Sequence, residues 1–220
     1  MEPPLDPPWE HPDWYDLHDT AWTAGSEREP EQYRELVLAL PPLGSGHHLV
    51  DLGAGTGKLA HLIARSYPEL GRVSLVEPNE VKLARARARL AEALPKSRID
   101  GRVASVGRGE IAPAHDADVA VFGSVLMPVL AMSGLSLADG IAWVDLALVE
   151  AAGLLRPGGW VYALENLAGV FVLPTSDGPA RRLFLLELMA RFEAAGLTEV
   201  ECVYRFRDRA TVRGRVQQTA

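Results

Sequence analysis

The residues with the clearest chemical potential stand together early in the chain, as Val50-Asp51-Leu52-Gly53-Ala54-Gly55-Thr56-Gly57. A short apolar run, His48 to Leu52, leads into three glycines at alternate positions, and a helical pattern follows. Glycines let a backbone turn sharply and let a ligand lie against it. The first turn of the following helix adds N–H groups with no intrahelical partner. Glu77 stands 22 residues beyond Gly55, at the end of the next strand-like run. A carboxylate there accepts two hydrogen bonds from vicinal ribose hydroxyls. Loop and carboxylate together point to a ligand built on a ribose.

Spacing separates the ligand classes. A phosphate-cradling loop needs G-x-x-x-x-G-K-[ST]. Gly57-Lys58 fits its middle, but Leu52 stands where the first glycine belongs and Leu59 where the magnesium-binding hydroxyl belongs. A dinucleotide fingerprint needs G-x-G-x-x-G, and after Gly53 and Gly55 its third glycine falls on Lys58. The pattern D-x-G-x-G-x-G in VDLGAGTG resembles instead the class I S-adenosylmethionine-dependent methyltransferases. The resemblance spans about residues 45–165 and continues loosely to the C-terminus. It implies that Asp51 supports the loop and approaches the methionine end of S-adenosylmethionine. It implies that the backbone of Gly53, Ala54 and Gly55 lines methionine and ribose, that Glu77 binds the ribose, and that Pro78 packs on the adenine. Ser105 and Val106 fall where that family reads the adenine edge; the acidic residue common there is absent, which leaves the contact to backbone. Gly123-Ser124 is expected under the cofactor near the reactive centre, and Leu154-Leu155-Arg156-Pro157-Gly158-Gly159 matches the family's helix-end turn.

Methyl transfer to a hydroxyl usually needs a general base. Many small-molecule O-methyltransferases hold a histidine soon after the fourth strand, where this chain has Ser124-Val125-Leu126-Met127-Pro128. His18 is the substitute on offer. It lies in the aromatic segment 13–24, which resembles the N-terminal lid of small-molecule methyltransferases, and Tyr15 of that segment is expected to line the cofactor pocket. His47, His48, His61 and His115 read as scaffold or loop. A metal-assisted, catechol-type site needs an acid after the fourth strand. Gly123-Ser124 lacks it, although Glu165-Asn166 loosely fits the pair after the fifth, so no metal is expected and Glu165 is placed at the acceptor pocket. No Asn/Asp-Pro-Pro-Tyr/Phe run is present to hold a macromolecular amine.

The elements that must position these groups alternate. Strands are expected at 48–52, 72–77, 99–105, 118–123 and 160–165, with two more near 198–205 and 210–216. Helices are expected from Pro30 to about Leu40, Thr56 to about Ser66, Glu80 to Ala93, a long one capped by Asp139 and ending near Leu155, and Ala180 to Ala195 stopped by Gly196. A Glu187–Arg191 pair four residues apart supports the last helix, and Lys82, Arg85, Arg89 and Glu92 form a charged stripe on the 80–93 helix. Alternation of this kind gives a mostly parallel sheet covered on both faces. The connection between the two closing strands is too short for a parallel crossover, so one strand near the C-terminus runs antiparallel. The expected fold is a three-layer, Rossmann-like α/β sandwich on a seven-stranded sheet. Residues 1–42, with five prolines in the first twelve, form an arm and a short helical cap or lid, and residues 43–220 form the cofactor-binding domain.

Composition limits the partners. The 220 residues carry a net charge of −7, with 48% hydrophobic and 23% charged residues. That balance suits a globular domain and disfavours sequence-independent nucleic-acid binding. The arginines at 205, 207, 209, 213 and 215 read as a solvated strand face rather than an anion or RNA site. Cys202, the one cysteine, reads as a core thiol. No signal-like or spanning segment stands out, and a cytoplasmic location is expected. The favoured function is methyl transfer from S-adenosylmethionine to a small-molecule acceptor through O or N, with S-adenosylhomocysteine as the product. A non-catalytic S-adenosylmethionine-binding subunit and a nicotinamide-dependent oxidoreductase are the alternatives, and a homodimer stays open as the assembly.

Overall fold

A computed structural model describes residues 31–132, 135–167, 182–206 and 209–218. The strands are β1 (His48–Leu52), β2 (Arg72–Val76), β3 (Arg98–Arg102), β4 (Ala117–Gly123), β5 (Leu155–Asn166), β6 (Leu197–Phe206) and β7 (Arg209–Val216). They form one sheet in the order β3-β2-β1-β4-β5-β7-β6. Pairing is parallel from β3 through β5, and β7 runs antiparallel to both of its neighbours. The expected fold and its single reversed strand are therefore present. Strand order reverses between β1 and β4, and in open α/β sheets that switch point leaves a crevice at the carboxyl ends of the strands.

Each face of the sheet buries its own core. On one face α1 (Glu31–Ala39), α2 (Lys58–Ser66) and α3 (Glu80–Ala93) cover Leu49, Val73, Leu75, Val121 and Tyr162. On the other, α4 (Leu126–Met132), α5 (Leu137–Leu154) and α6 (Leu185–Ala194) cover Val50, Leu52, Phe122, Val161 and Ala163. Neighbouring strand residues serve opposite cores because side chains alternate across a strand. Helix α1 is tied to the sheet by more than apolar packing. The Tyr162 hydroxyl donates to Ala39 O at 3.0 Å, and the Tyr67 hydroxyl donates to Val37 O at 3.3 Å.

Several elements differ from expectation for local reasons. Helix α2 starts at Lys58 because Gly57 is left-handed, with φ 80°. Strand β3 ends at Arg102, since Ala104 and Val106 turn into the core instead of continuing the ladder. The cap of α5 is Ser136, not Asp139: Ser136 Oγ accepts from Asp139 N at 3.1 Å and donates to Asp139 Oδ2 at 2.6 Å. The expected Glu187–Arg191 pair is replaced by two others. Glu187 accepts from Phe184 N at 2.8 Å, and Arg191 reaches across to Asp145 of α5 at 3.1 Å. Lys82 leaves the charged stripe and is buried.

Two arginines of the closing strands are paired in place. Arg213 donates to Glu201 at 2.6 Å and Arg215 to Glu199 at 3.1 Å, and both guanidinium groups lie over the Trp160 ring, at 4.5 and 5.2 Å from its centroid. Cys202 is half-buried on β6, and its thiol, pushed up by burial, donates to Tyr204 O at 3.1 Å. No helix among the described residues is long and apolar enough to cross a membrane.

Tyr162→Phe is expected to cost about 1 kcal/mol, since it leaves the Ala39 carbonyl short of a donor. Amide exchange should quicken in residues 33–40 while β1 and β4 keep their protection. Uniform loss of protection would show that this hydroxyl does not anchor α1 specifically.

Candidate functional site

A cavity of about 450 Å³ occupies the crevice at the switch point. The β1–α2 loop, the end of β2, the loop after β3 and the start of α4 all reach it. The glycine loop commits its N–H groups to the fold itself. Gly53 and Ala54 donate to Val76 O at 2.9 and 3.0 Å, and Gly55 donates to Glu77 Oε2 at 2.9 Å. What the loop offers a ligand is therefore bare Cα surface. A Cβ on Gly53 would lie 2.6 Å from Val125 Cγ2, at a φ of 73° that side chains disfavour. A Cβ on Gly55 would meet no atom within 4 Å, so the space above that residue is open. Gly57 serves helix packing instead. A Cβ there would lie 2.8 Å from Ala86 Cβ, so its absence lets the start of α2 approach α3.

Two carboxylates face this loop in different states. Glu77 is buried and held from both sides, with Oε2 accepting from Gly55 N and Oε1 accepting from Asn79 N at 3.1 Å. Each oxygen keeps acceptor capacity for a ligand hydroxyl. Asp51 is 1% exposed, and its Oδ2 has no protein partner. Burial first, and then the Glu77 charge, push its carboxyl up to about 7, against a backbone hydrogen bond from Ala60 that pulls it down. A buried acceptor of this kind is costly unless something pairs with it.

Most of the residues singled out by spacing converge on this crevice. Asp51, Gly53, Ala54, Gly55, Glu77, Pro78, Ser105, Val106, Gly123 and Ser124 all line the cavity. Tyr15 and His18 lie outside the described residues. The Ser105 N–H is already donated to Glu110 Oε2 at 2.8 Å, so that backbone contact is not open to a ligand. Glu165 is corrected. Its oxygens accept from Val125 N, Leu126 N and Met127 N at 2.9, 2.8 and 3.1 Å, and it does not line the cavity. It is the anion at the N-terminus of α4, where amides and helix dipole favour a negative charge. Burial pushes its carboxyl up to about 7, while those three bonds work in the opposite direction. Ser124, next to this grip, is left-handed at φ 59°, an uncommon conformation for a residue with a side chain. His48 is scaffold, as expected. Its Nε2 lies 2.8 Å from Ser74 Oγ and its Nδ1 3.2 Å from Asp116 Oδ1.

Spacing did not reveal Tyr33, Lys58, Leu59, Lys82, Arg108, Val125, Pro128, Val129 and Trp143, which complete the lining together with Thr56 of the glycine loop. Lys82 carried a weak signal, as a long cationic side chain one turn after Asn79, the cap of α3. Lys58, Leu59 and Val125 directly follow residues already singled out, and the others come from elements that only the folded sheet brings together. Among the described residues no group of three or more histidine, cysteine, aspartate or glutamate side chains is placed to hold a metal ion.

No family model matches the chain. It is 33% identical over 175 residues to acetylserotonin O-methyltransferase of Mus musculus molossinus, covering 77% of this chain and 40% of that protein. It is 28% identical over 198 residues to the ubiquinone/menaquinone biosynthesis C-methyltransferase UbiE of Rubrivivax gelatinosus, covering 81% of this chain and 68% of that one. Its relatives by sequence are thus O- and C-methyltransferases. Its fold agrees with that of the S-adenosylmethionine-dependent methyltransferase SibL at a TM-score of 0.67 and 20% identity, over 94% of this chain and 59% of that one. The chain spans about two fifths of the length of the acetylserotonin relative.

The two buried carboxyls give separate predictions. Between about pH 4 and pH 7 native Asp51 keeps a proton that the unfolded chain has released. Its contribution to stability therefore falls as pH rises through that window, by up to about 1.4 kcal/mol per pH unit, and is level above it. Denaturant melts of the wild type and Asp51→Asn should diverge in slope over this range; parallel slopes count against a neutral, buried Asp51. Glu165→Ala strands three amides and is expected to cost about 2–4 kcal/mol in the same melts. A loss below about 1 kcal/mol would mean that water replaces the carboxylate without penalty.

Proposed function

We propose that this chain transfers a methyl group from S-adenosylmethionine to a small-molecule acceptor. The observation that carries the proposal is Asp51 Oδ2, a buried carboxylate oxygen without a protein partner on a cavity that also holds Glu77 and the glycine loop. The residues present fit the cofactor by their chemistry. Asp51 supplies an acceptor for an ammonium group, Glu77 supplies acceptors for two ribose hydroxyls, and the open surface at Gly55 lets a ligand lie against backbone. The sequence similarity supports the same choice, since the curated relatives named above are O- and C-methyltransferases.

When bound, the cofactor supplies a methyl group on a cationic sulfur, and the transfer is an in-line displacement. The chain's own contribution is position and dryness. Leu59, Val125, Pro128 and Val129 give the wall beside Ser124 an apolar surface that keeps water from the reacting groups. Glu165 holds that wall by gripping the first amides of α4, so the acceptor meets a fixed surface. His18 remains the proposed base for a hydroxyl acceptor.

Calorimetry with S-adenosylmethionine, S-adenosylhomocysteine and NADH tests the cofactor. The expected result is binding of the first two and none of NADH. Glu77→Ala should weaken S-adenosylhomocysteine by about 100-fold or more, because two charge-assisted hydrogen bonds are lost. Binding of NADH alone would overturn the proposal. Labelled methyl transfer across a panel of phenols and amines then tests turnover, and His18→Ala should lower kcat for phenols and leave cofactor affinity unchanged. A chain that binds the cofactor and methylates nothing in a broad panel would act as a binding subunit.

A further inference from the structure

We infer that Trp143 is the stacking platform for the adenine base in this cavity. The inference rests on the proposed cofactor and adds a base-binding residue from α5. Trp143 is half-buried on α5 and lines the cavity beside Ser105, Val106 and Arg108. It is thus an indole with part of its surface left to the cavity. Adenine is flat and apolar on its faces, and base-on-aromatic stacking is a general mode of recognition.

The loop after β3 is built to keep the indole in that position. Gly107 packs directly on it: a Cβ at residue 107 would lie 2.6 Å from Trp143 Nε1 and 2.7 Å from Cε2, with φ at 71°. One helix face does both jobs. Glu150, seven residues after Trp143 on α5, is buried and accepts from Gly107 N at 2.5 Å and from Ile111 N at 3.5 Å. The loop cannot slide away from the ring without breaking a buried charged hydrogen bond. The polar route to the base is narrow at this end, because the Ser105 N–H is committed to Glu110. Recognition through the face of the base is what the remaining surface offers. Pro78 follows β2, the strand that pairs with β3, and lines the same cavity.

The test uses the full chain, with S-adenosylhomocysteine and 5′-methylthioadenosine as probes, read by calorimetry and by intrinsic tryptophan fluorescence. The wild type is expected to bind both and to lose indole emission on binding. Trp143→Phe should keep affinity within about threefold, since a phenyl ring still stacks, yet lose most of the ligand-dependent quench. Trp143→Ala should weaken both probes by the same factor, about 10- to 100-fold, because both carry the base. Gly107→Ala, which crowds the ring without removing it, should weaken both probes as well, and it serves if Trp143→Ala does not fold. Full quench in Trp143→Phe, or wild-type affinity in Trp143→Ala, overturns the inference and leaves the cofactor proposal standing. A wild type that binds neither probe overturns both.

Discussion

The site depends on one set of hydrogen bonds, in which the glycine loop is stitched to the end of β2. Gly53 and Ala54 donate to Val76 O, and Gly55 donates to the Glu77 carboxylate. Three consecutive amides are bound within the fold, so the loop is closed and rigid before any ligand arrives. The same contacts orient Glu77, whose other oxygen is held by Asn79 N. Loop and carboxylate are therefore one unit. The left-handed backbone at Gly53, Gly55 and Gly57 makes the stitching feasible, because a chain of larger residues would be strained at each turn.

The same device recurs around the cavity. Glu165 takes three amides at the start of α4, and Glu150 takes two from the loop after β3. Each is a buried carboxylate on a regular element that holds an irregular segment in place. Loops are otherwise the mobile parts of a fold, and ligand geometry suffers when they drift. Asp51 is the exception that gives this pattern meaning. It is as deeply buried as Glu165, yet one of its oxygens accepts nothing from the protein. Glu165 and Glu150 are satisfied by amides, and Asp51, with its open oxygen, lines the cavity.

The proposed division of labour follows the two halves of the sheet. The first half, β1 to β3 with α2 and α3, brings polar groups suited to a ribose and an ammonium. The second half, β4 and β5 with α4 and α5, brings the Trp143 ring and, apart from Leu59 of α2, the apolar wall. In the basic stretch at the C-terminus, Glu199, Glu201 and Trp160 absorb Arg213 and Arg215.

The sheet, its reversed strand, the glycine loop and the carboxylate at Glu77 are legible along the chain. Those features are local: apolar periodicity, alternate glycines and a spacing of 22 residues can be read along the chain. Helix α4 was not legible, since a seven-residue helix has little periodicity and its partner, Glu165, lies 39 residues beyond Leu126. The cap of α5 was misplaced by three residues because Ser136 and Asp139 bond to each other and either type suits a cap. The satisfied or unsatisfied state of each carboxylate was decided only by tertiary structure. Glu165 looked like a pocket residue and Asp51 like a loop support, and burial with distant amides gave the first a closed role and left the second open. Trp143 joined the cavity for the same reason: the loop that meets it comes from another strand, and no spacing along the chain records that contact.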